Sequence, residues 1–377
     1  MTDFIPAARP VIGEREHELV REVLESGHLS LGPRLRLFEH AFARRLGVEH
    51  ASAVSSGTAG LHLATRAAGI RPGDEVITTP FSFVASANCV VYENARPVFC
   101  DIDPRTLNMA PAAAEAAVTD RTAGLLPVHI FGYPADIPAL ERLAAKHDLW
   151  LVEDACEALG ALHGDGTFVG ARGNPAVFAF YPNKQMTTGE GGIVISPSEA
   201  FAEQVDSERN QGRAPDMGWL DHDRLGFNYR LSDIACALGI AQLERLADLL
   251  AQRAEVAALY GEALSGIEGV TLPCPDSGGD ERSWFVYVVQ LPGEVDRDAT
   301  IEELRARGID SKPYLPAIHL MSYYRETFGH RDGEFPVCED VSRRSIALPF
   351  FPGLTEGQVD RVATELASVL AEAPKRS

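Results

Sequence analysis

The alternation of short apolar runs with helical patterns between Gly73 and Ala155 constrains the fold more than any other feature of this sequence. The apolar runs are DEVITTP, RPVFCDID, TAGLLPVHIFG and LWLVEDA, and helical patterns of roughly ten residues separate them. Continuous apolar strands separated by helices are typical of a sheet that is buried on both faces and mostly parallel. The sequence therefore predicts the α/β fold class, with ligands expected beyond the carboxyl ends of the strands.

The chain of 377 residues is long enough for two or three domains. A long helix beginning after its N-cap Ser232 and ending near Leu264 is expected to connect them. Beyond it, SWFVYVVQL is predicted as a strand, residues 299–307 as a helix and residues 355–370 as a last helix. We therefore predict a large domain with an N-terminal arm over residues 1–249, and a smaller α+β domain over residues 250–377.

A candidate anion site follows the first predicted strand, HASAV. This strand leads into Ser56, Gly57 and Thr58, which open a helix of small and apolar residues. The first backbone N–H groups of a helix are unpaired, and the helix dipole favours negative charge there. The alternative is a plain serine N-cap with no ligand.

Two further residues are candidates for chemistry. Lys184 lies between an aromatic, apolar run and a Gly-rich segment, which predicts strand, tight loop, strand. A lysine held by backbone on both sides can act as an amine nucleophile towards a carbonyl, and the alternative is a solvated surface lysine. Asp154 ends a predicted strand, where it either faces a ligand or caps the next helix, whereas Asp136 is expected only to cap its helix.

Composition excludes several other functions. The net charge of −20 would repel a polyanion, so neither nucleic acid nor an anionic membrane surface is an expected partner. No apolar run approaches the roughly 20 residues that span a bilayer. The six cysteines are scattered without a CxxC pair, which favours a reduced, cytoplasmic setting, and no metal site is expected.

The anion site, the acid and the amine together match the groups that pyridoxal 5'-phosphate needs. N–H groups would bind its phosphate, a carboxylate would pair with its pyridine nitrogen, and an amine would react with its aldehyde. A carboxylate beside the ring nitrogen favours the pyridinium, which is the electron sink that stabilises a carbanion on the substrate.

The chain resembles the DegT/DnrJ/EryC1/StrS family of pyridoxal-phosphate-dependent sugar aminotransferases over almost its whole length. The segments that carry this resemblance include SSGTAGLHLA, GDEVITTPFSFVASAN, VEDACEALGA, YPNKQMTTGEGG and GFNYRLSDIACALGIAQLERL. The resemblance implies the fold-type I, aspartate aminotransferase-like architecture, with a mixed, mostly parallel sheet between helices in the large domain. The NK-x-x-TTGEGG block and Glu157 are most similar to GDP-perosamine synthase-like members.

The resemblance also implies roles for individual residues. Lys184 would form the Schiff base and then move the proton, and Asp154 would pair with the pyridinium nitrogen. Residues 56–58 would hold the phosphate, and Phe83 would stack on the ring. Asn228 in GFNYR would reach the phosphate of the partner subunit, which implies a homodimer with shared active sites.

Two positions depart from the commoner family pattern. Glu157 stands next to the phenolic oxygen of the cofactor, where many relatives have Gln or His. Ala179 stands where relatives often place a serine on the phosphate. The lysine itself is present, which disfavours the family's dehydratase branch.

Four residues are candidates for binding the substrate: Arg230, Lys312, Tyr314 and His319. The alternatives are that His319 is a structural histidine and that Arg230 belongs to a dimer interface. The resemblance implies transfer of an amino group from L-glutamate to a keto-sugar, a nucleotide-linked 4-keto-6-deoxyhexose, by a ping-pong mechanism. A keto-cyclitol or another cyclic ketone is the alternative substrate, and a non-catalytic binding or regulatory protein is the alternative class.

Overall fold

The computed structural model describes residues 4–214 and 221–372. The polar, glycine-containing composition of residues 205–231 predicts an exposed loop, and part of this segment lies outside the described residues. The α-helices are α1 (Glu14–Ser26), α2 (Pro33–Leu46), α3 (Gly57–Ala67), α4 (Ala85–Val91), α5 (Pro111–Ala116), α6 (Ile137–His147), α7 (Glu199–Glu208), α8 (Asp233–Glu244), α9 (Leu246–Leu264), α10 (Arg297–Ala306), α11 (Ser322–Phe328), α12 (Pro336–Arg344) and α13 (Glu356–Glu372). The strands are β1 (His50–Val54), β2 (Glu75–Thr78), β3 (Arg96–Phe99), β4 (Thr122–Leu126), β5 (Trp150–Leu151), β6 (Glu153–Asp154), β7 (Ala176–Ala179), β8 (Gly192–Ser196), β9 (Tyr287–Gln290), β10 (Lys312–Pro313) and β11 (Ser345–Leu348).

The large sheet confirms the predicted α/β class. One part has the strand order β3-β2-β4-β5, and the other has the order β1-β8-β7-β6. Only Val152 separates β5 from β6, so the chain passes directly from the first part of the sheet to the second. The pairs from β3 to β5 and the pair β6–β7 are parallel, whereas β8 is antiparallel to both neighbours, β1 and β7. The sheet is therefore mixed and mostly parallel.

Helix α3 packs closely on this sheet because its contact face is made of small residues. A Cβ added at Gly60 would lie 2.6 Å from Cγ1 of Val177 on β7. Helix α2 instead carries Phe38 and Phe42, whose rings each lie 5.6 Å from the ring of Phe180. The small residues let α3 bring its N-terminus up to the sheet at the carboxyl end of β1.

The C-terminal strands form a separate antiparallel sheet with the order β10-β11-β9. An apolar cluster between this sheet and helices α9, α10 and α13 includes Tyr260, Val289, Leu304 and Leu366. This is an α+β arrangement, as predicted, while the boundary at residues 249 and 250 stays a prediction.

The prediction of one long helix from Ser232 to Leu264 is wrong. Ser232 does cap α8 by accepting a hydrogen bond from the backbone of Ala235, but α8 ends at Glu244 and α9 begins at Leu246. The backbone of Arg245 leaves the helical region, with φ −118° and ψ 17°. Its side chain donates a hydrogen bond to the carbonyl of Val11 at 2.6 Å, which ties this break to the N-terminal arm.

No helix within residues 4–214 and 221–372 is long and apolar enough to cross a membrane. In the same part of the chain, no group of three or more His, Cys, Asp or Glu side chains could hold a metal ion.

Candidate active site

A cavity of about 470 Å³ lies at the carboxyl ends of β1, β2 and β6. This volume lies in the range of roughly 300 to 1,000 Å³ that is common for small-molecule sites. The residues that line it are Ser56, Gly57, Thr58, Leu61, Ser82, Phe83, Ala85, Val128, Asp154, Cys156, Glu157, Ala179, Tyr181, Asn183, Lys184, Glu190, Gly191, Tyr314 and Leu315. The predicted anion site, acid and amine therefore share one cavity.

The anion site is the N-terminus of α3. Ser56 is its N-cap, and the Ser56 hydroxyl accepts a hydrogen bond from the backbone N–H of Ala59 at 3.1 Å. A Cβ added at Gly57 would lie 2.7 Å from Cβ of Ala179 and 3.0 Å from Sγ of Cys156. Ser56 therefore does cap the helix, while the lack of a side chain at Gly57 lets the helix start approach the β7 strand at the cavity wall.

Asp154 is the last residue of β6 and is 4% exposed. Its Oδ2 accepts a hydrogen bond from the Ser86 hydroxyl at 2.7 Å, and its Oδ1 accepts one from the backbone N–H of Cys156 at 3.1 Å. The residues that follow form turns and no helix, so Asp154 does not cap a helix. The carboxylate is held in a fixed orientation at the cavity by α4 and by its own turn.

Lys184 lies in the loop over residues 180–191 that joins the antiparallel strands β7 and β8. The loop is longer than the predicted tight loop, and backbone hydrogen bonds hold it from within. The N–H of Lys184 donates to the carbonyl of Tyr181 at 2.9 Å, and the N–H of Thr188 donates to that of Phe180 at 3.0 Å. The Lys184 side chain is only 14% exposed, with Nζ 4.0 Å from the centre of the Phe285 ring, which contradicts a solvated surface lysine.

Glu157 is buried beside this lysine. One carboxylate oxygen lies 3.7 Å from Nζ of Lys184, and the other accepts a hydrogen bond from the backbone N–H of Phe131 at 2.9 Å. Burial raises the pKa of Glu157, and the positive charge of Lys184 opposes this shift. The cavity therefore contains a carboxyl group that keeps its proton to a higher pH than a solvated glutamate would.

The other predicted cofactor and substrate residues lie in different surroundings. Phe83 and Tyr314 line the cavity. Asn228 is exposed and pairs with Asn210 in an isolated bridge, while Arg230 donates a hydrogen bond to the Asn210 side chain at 3.0 Å. Neither Asn228 nor Arg230 lines the cavity of its own chain.

Lys312 and His319 are also away from the cavity wall. The Lys312 side chain is exposed, and its amine forms an ion pair with Asp310 at 2.8 Å. His319 is 0% exposed, and its Nε2 lies 3.1 Å from a carboxylate oxygen of Glu339. This geometry matches the alternative reading of His319 as a structural histidine.

Three residues that sequence reasoning did not single out contact the predicted site residues. Ser86 lies in the FSFVASAN segment. Because this segment was already one of the family motifs, its hydroxyl could have been considered as a site residue. Phe285 and Arg253 contact Lys184 from the C-terminal part of the chain, where no local pattern marks them.

The cavity fits pyridoxal 5'-phosphate by the chemistry of its donors. A helix N-terminus that suits an anion, a buried carboxylate that suits a pyridinium, and a shielded amine that suits an aldehyde line the same 470 Å³. Fold and site together are those of the class of pyridoxal-phosphate-dependent enzymes.

Comparisons with known proteins agree with this class. Residues 10–367 match the sequence profile of the DegT/DnrJ/EryC1/StrS aminotransferase family. The spore coat polysaccharide biosynthesis protein SpsC of Bacillus subtilis is 35% identical over 97% of both chains. Two similar solved structures are 3-amino-5-hydroxybenzoic acid synthase, with TM-score 0.91, 31% identity and coverage of 98% and 99%, and DesI in the presence of its TDP-sugar product, with TM-score 0.89, 30% identity and coverage of 98% and 93%.

The chain belongs to the DegT/DnrJ/EryC1/StrS aminotransferase family. It is accordingly an aminotransferase with the fold of these enzymes, and its cofactor is pyridoxal 5'-phosphate. The predicted family, fold class, enzyme class and cofactor are thereby confirmed, and the alternative of a non-catalytic protein is set aside.

Proposed function

We propose that this enzyme transfers an amino group from L-glutamate to a nucleotide-linked 4-keto-6-deoxyhexose by a ping-pong mechanism centred on Lys184. The observation that carries this proposal is that Lys184, Asp154 and residues 56–58 line a single cavity. When bound, the cofactor supplies the carbonyl that accepts the amino group and the electron sink that stabilises the substrate carbanion.

The residues of this chain have distinct roles in the proposal. The amine of Lys184 would hold the cofactor at rest. Once the amino donor has displaced it, the free amine would take a proton from the α-carbon of the donor and deliver it two atoms away, as a 1,3-shift. Asp154, held by Ser86, keeps a proton on the ring nitrogen. Residues 56–58 hold the phosphate, and Phe83 covers one face of the ring.

The sugar substrate is supported by the names of similar proteins. DesI was solved with a TDP-sugar product, and SpsC is named for polysaccharide biosynthesis. The synthase of 3-amino-5-hydroxybenzoic acid is a specific reason to retain a cyclic ketone as the second candidate substrate. Among the described residues, the cavity wall contains the carboxylates of Asp154, Glu157 and Glu190 and a single cationic side chain, Lys184. The phosphates of a nucleotide would therefore be bound outside this wall.

A homodimer with shared active sites completes the proposal. Asn228 is exposed and is not among the residues that line the 470 Å³ cavity of its own chain, as expected of a residue that serves the partner subunit. Arg230, two residues further on, would then lie at or near the partner's site. Because all six cysteines are free thiols, we also propose a cytoplasmic location.

The experiment that tests the proposal starts with wild-type protein reconstituted with the cofactor. We expect an absorbance band from cofactor bound to Lys184 that decays on addition of L-glutamate and returns on addition of a TDP- or GDP-linked 4-keto-6-deoxyhexose. The Lys184→Ala variant should lack both the band and turnover. Full turnover by that variant would refute the assigned role of Lys184.

A panel of acceptors separates the two substrate classes. Recovery of the band with a keto-cyclitol, but with no keto-sugar nucleotide, would replace the sugar by the second candidate. Mixing Lys184→Ala with Asn228→Ala tests the shared site, because hybrid dimers would restore one intact site if Asn228 acts on the partner's cofactor. Absence of any recovery on mixing and subunit exchange would contradict the shared site.

A further inference from the structure

Arg253 on α9 is a buried arginine without an acidic partner. Its residue is 3% exposed, and within the described part of the chain no carboxylate forms an ion pair with it. Burial lowers the pKa of Arg253 to about 10, so the guanidinium is still protonated at neutral pH. The structure therefore places a full positive charge in its interior.

The acceptors of this guanidinium are backbone carbonyls. Nη2 donates a hydrogen bond to the carbonyl of Lys184 at 2.7 Å and a longer one to that of Asn183 at 3.4 Å. Nη1 donates to the carbonyl of Phe285 at 3.1 Å. One planar group thus joins the lysine loop, which belongs to the large sheet, to the segment that precedes β9.

The contact with the Phe285 carbonyl matters because Phe285 also contacts the lysine amine. The Phe285 ring lies 4.0 Å from Nζ of Lys184, so Arg253 fixes both the backbone that carries the amine and the backbone that carries the ring against it. The guanidinium is itself within 5.7 Å of the Phe350 ring centre, which restricts its movement.

Such an arrangement is costly for stability alone. Transferring a cation from water into the interior is unfavourable, and neutral carbonyls compensate the lost hydration less completely than a carboxylate does. An apolar side chain of similar length would fill the same space without that cost. What the site gains is geometry, because a planar guanidinium donates hydrogen bonds in fixed directions and an ammonium does not.

We propose that Arg253 is a positioning residue for amino transfer, which holds the backbone of Lys184 and Phe285 so that the lysine amine stays aligned for proton transfer. The inference rests on the proposed role of Lys184. Proton transfer requires near-contact geometry, and a displacement of about 1 Å can cost on the order of 100-fold in rate.

The test compares Arg253→Lys and Arg253→Met in the reconstituted holoenzyme. Arg344→Met serves as a control, because Arg344 also bonds backbone, the Leu291 carbonyl at 3.0 Å, but does so away from the cavity. For each variant we would measure single-turnover decay of the cofactor band at varied L-glutamate, the pH midpoint of that band in the resting enzyme, and the free energy of unfolding.

We expect both Arg253 variants to lose between about 10-fold and 100-fold in the single-turnover rate constant, with the apparent Kd for L-glutamate changed less than threefold. The pH midpoint should rise in Arg253→Met, because loss of a nearby positive charge favours the protonated form of the neighbouring nitrogen. Arg253→Lys, which keeps the charge but not the two-carbonyl geometry, should keep a midpoint nearer that of the wild type.

The proposal is overturned if the Arg253 variants keep the wild-type rate constant and midpoint and differ only in stability, as expected of Arg344→Met. If Arg253→Met does not fold, the rate constant of Arg253→Lys decides alone. Failure of the proposed function looks different, because wild-type protein would then show no cofactor band that depends on Lys184.

Discussion

The side-chain amine of Lys184 lies 3.7 Å from a carboxylate oxygen of Glu157, and both groups are shielded from solvent within one cavity. The lysine is carried by the β7–β8 loop and the glutamate by the turn after β6. The pair gives the site a second titratable group next to the amine. A neutral Gln at the same position would give only a hydrogen-bonding group.

The first prediction concerns Glu157 in the protein without cofactor. Because burial raises its folded-state pKa, folded protein still binds the proton at pH values above 4.5, where the unfolded chain has released it. The Glu157 contribution to the free energy of unfolding should therefore fall as pH rises from 4.5 through the folded-state pKa. Glu157→Gln should flatten this part of the profile, measured by urea unfolding at a series of pH values, and Glu190→Gln, at an exposed carboxylate of the cavity, is the control. An unchanged slope in Glu157→Gln would contradict the prediction.

The second prediction concerns the close approach at the start of α3. Gly57→Ala places a methyl group 2.7 Å from Cβ of Ala179, and we expect it to lower the free energy of unfolding by about 1–3 kcal/mol and to weaken cofactor retention. Gly261→Ala, in the last turn of α9 with no atom within 4 Å of the new methyl outside the helix's own backbone, should instead stabilise by up to roughly 0.5–1 kcal/mol. Chemical unfolding and dialysis against buffer without cofactor measure the two effects. Equal behaviour of the two variants would refute the steric argument.

The third prediction separates two adjacent carboxylates on β6. Asp154 contacts Ser86 at the cavity, whereas Glu153 is 0% exposed and contacts His129 at 3.0 Å on the other side. Asp154→Asn should reduce the single-turnover rate with L-glutamate on the order of 100-fold with little loss of stability, since its charge acts on the reacting system. Glu153→Gln should mainly lower the free energy of unfolding, by about 1–3 kcal/mol, because it disrupts a buried charged hydrogen bond. The reverse assignment of the two effects would contradict this prediction.

The fourth prediction concerns acid stability. Burial lowers the pKa of His163 from 6.5 to about 4, so below pH 6.5 the unfolded chain binds a proton that the folded protein does not. The His163 contribution to stability should therefore decrease as pH falls from 6.5 to about 4. His163→Gln should lose less stability over this interval than the wild type, while His147→Gln, at an exposed histidine, should follow the wild type. Unfolding by urea at pH 7, 6, 5 and 4 gives the comparison.

Residues 56–58, Asp154 and Lys184, which share the cavity, could be singled out from the sequence because each follows a local sequence signal. Residues 56–58 follow a strand and open a helix, Asp154 ends an apolar run, and Lys184 lies in a glycine-rich loop. The substrate candidates had no such signal. Of these, Tyr314 lines the cavity, Lys312 is paired with Asp310, and His319 is buried against Glu339.

By itself, the sequence determined the α/β class and the order of anion site, acid and amine, because apolar periodicity and turn residues act over a few neighbouring positions. The tertiary structure alone decided which distant groups surround the amine. Glu157, Phe285 and Arg253 reach Lys184 from three separate elements, across 27, 101 and 69 positions of the chain. Contacts of this kind depend on how sheets and helices pack against one another. No local sequence pattern at Glu157, Phe285 or Arg253 indicates that its neighbour in the fold is Lys184.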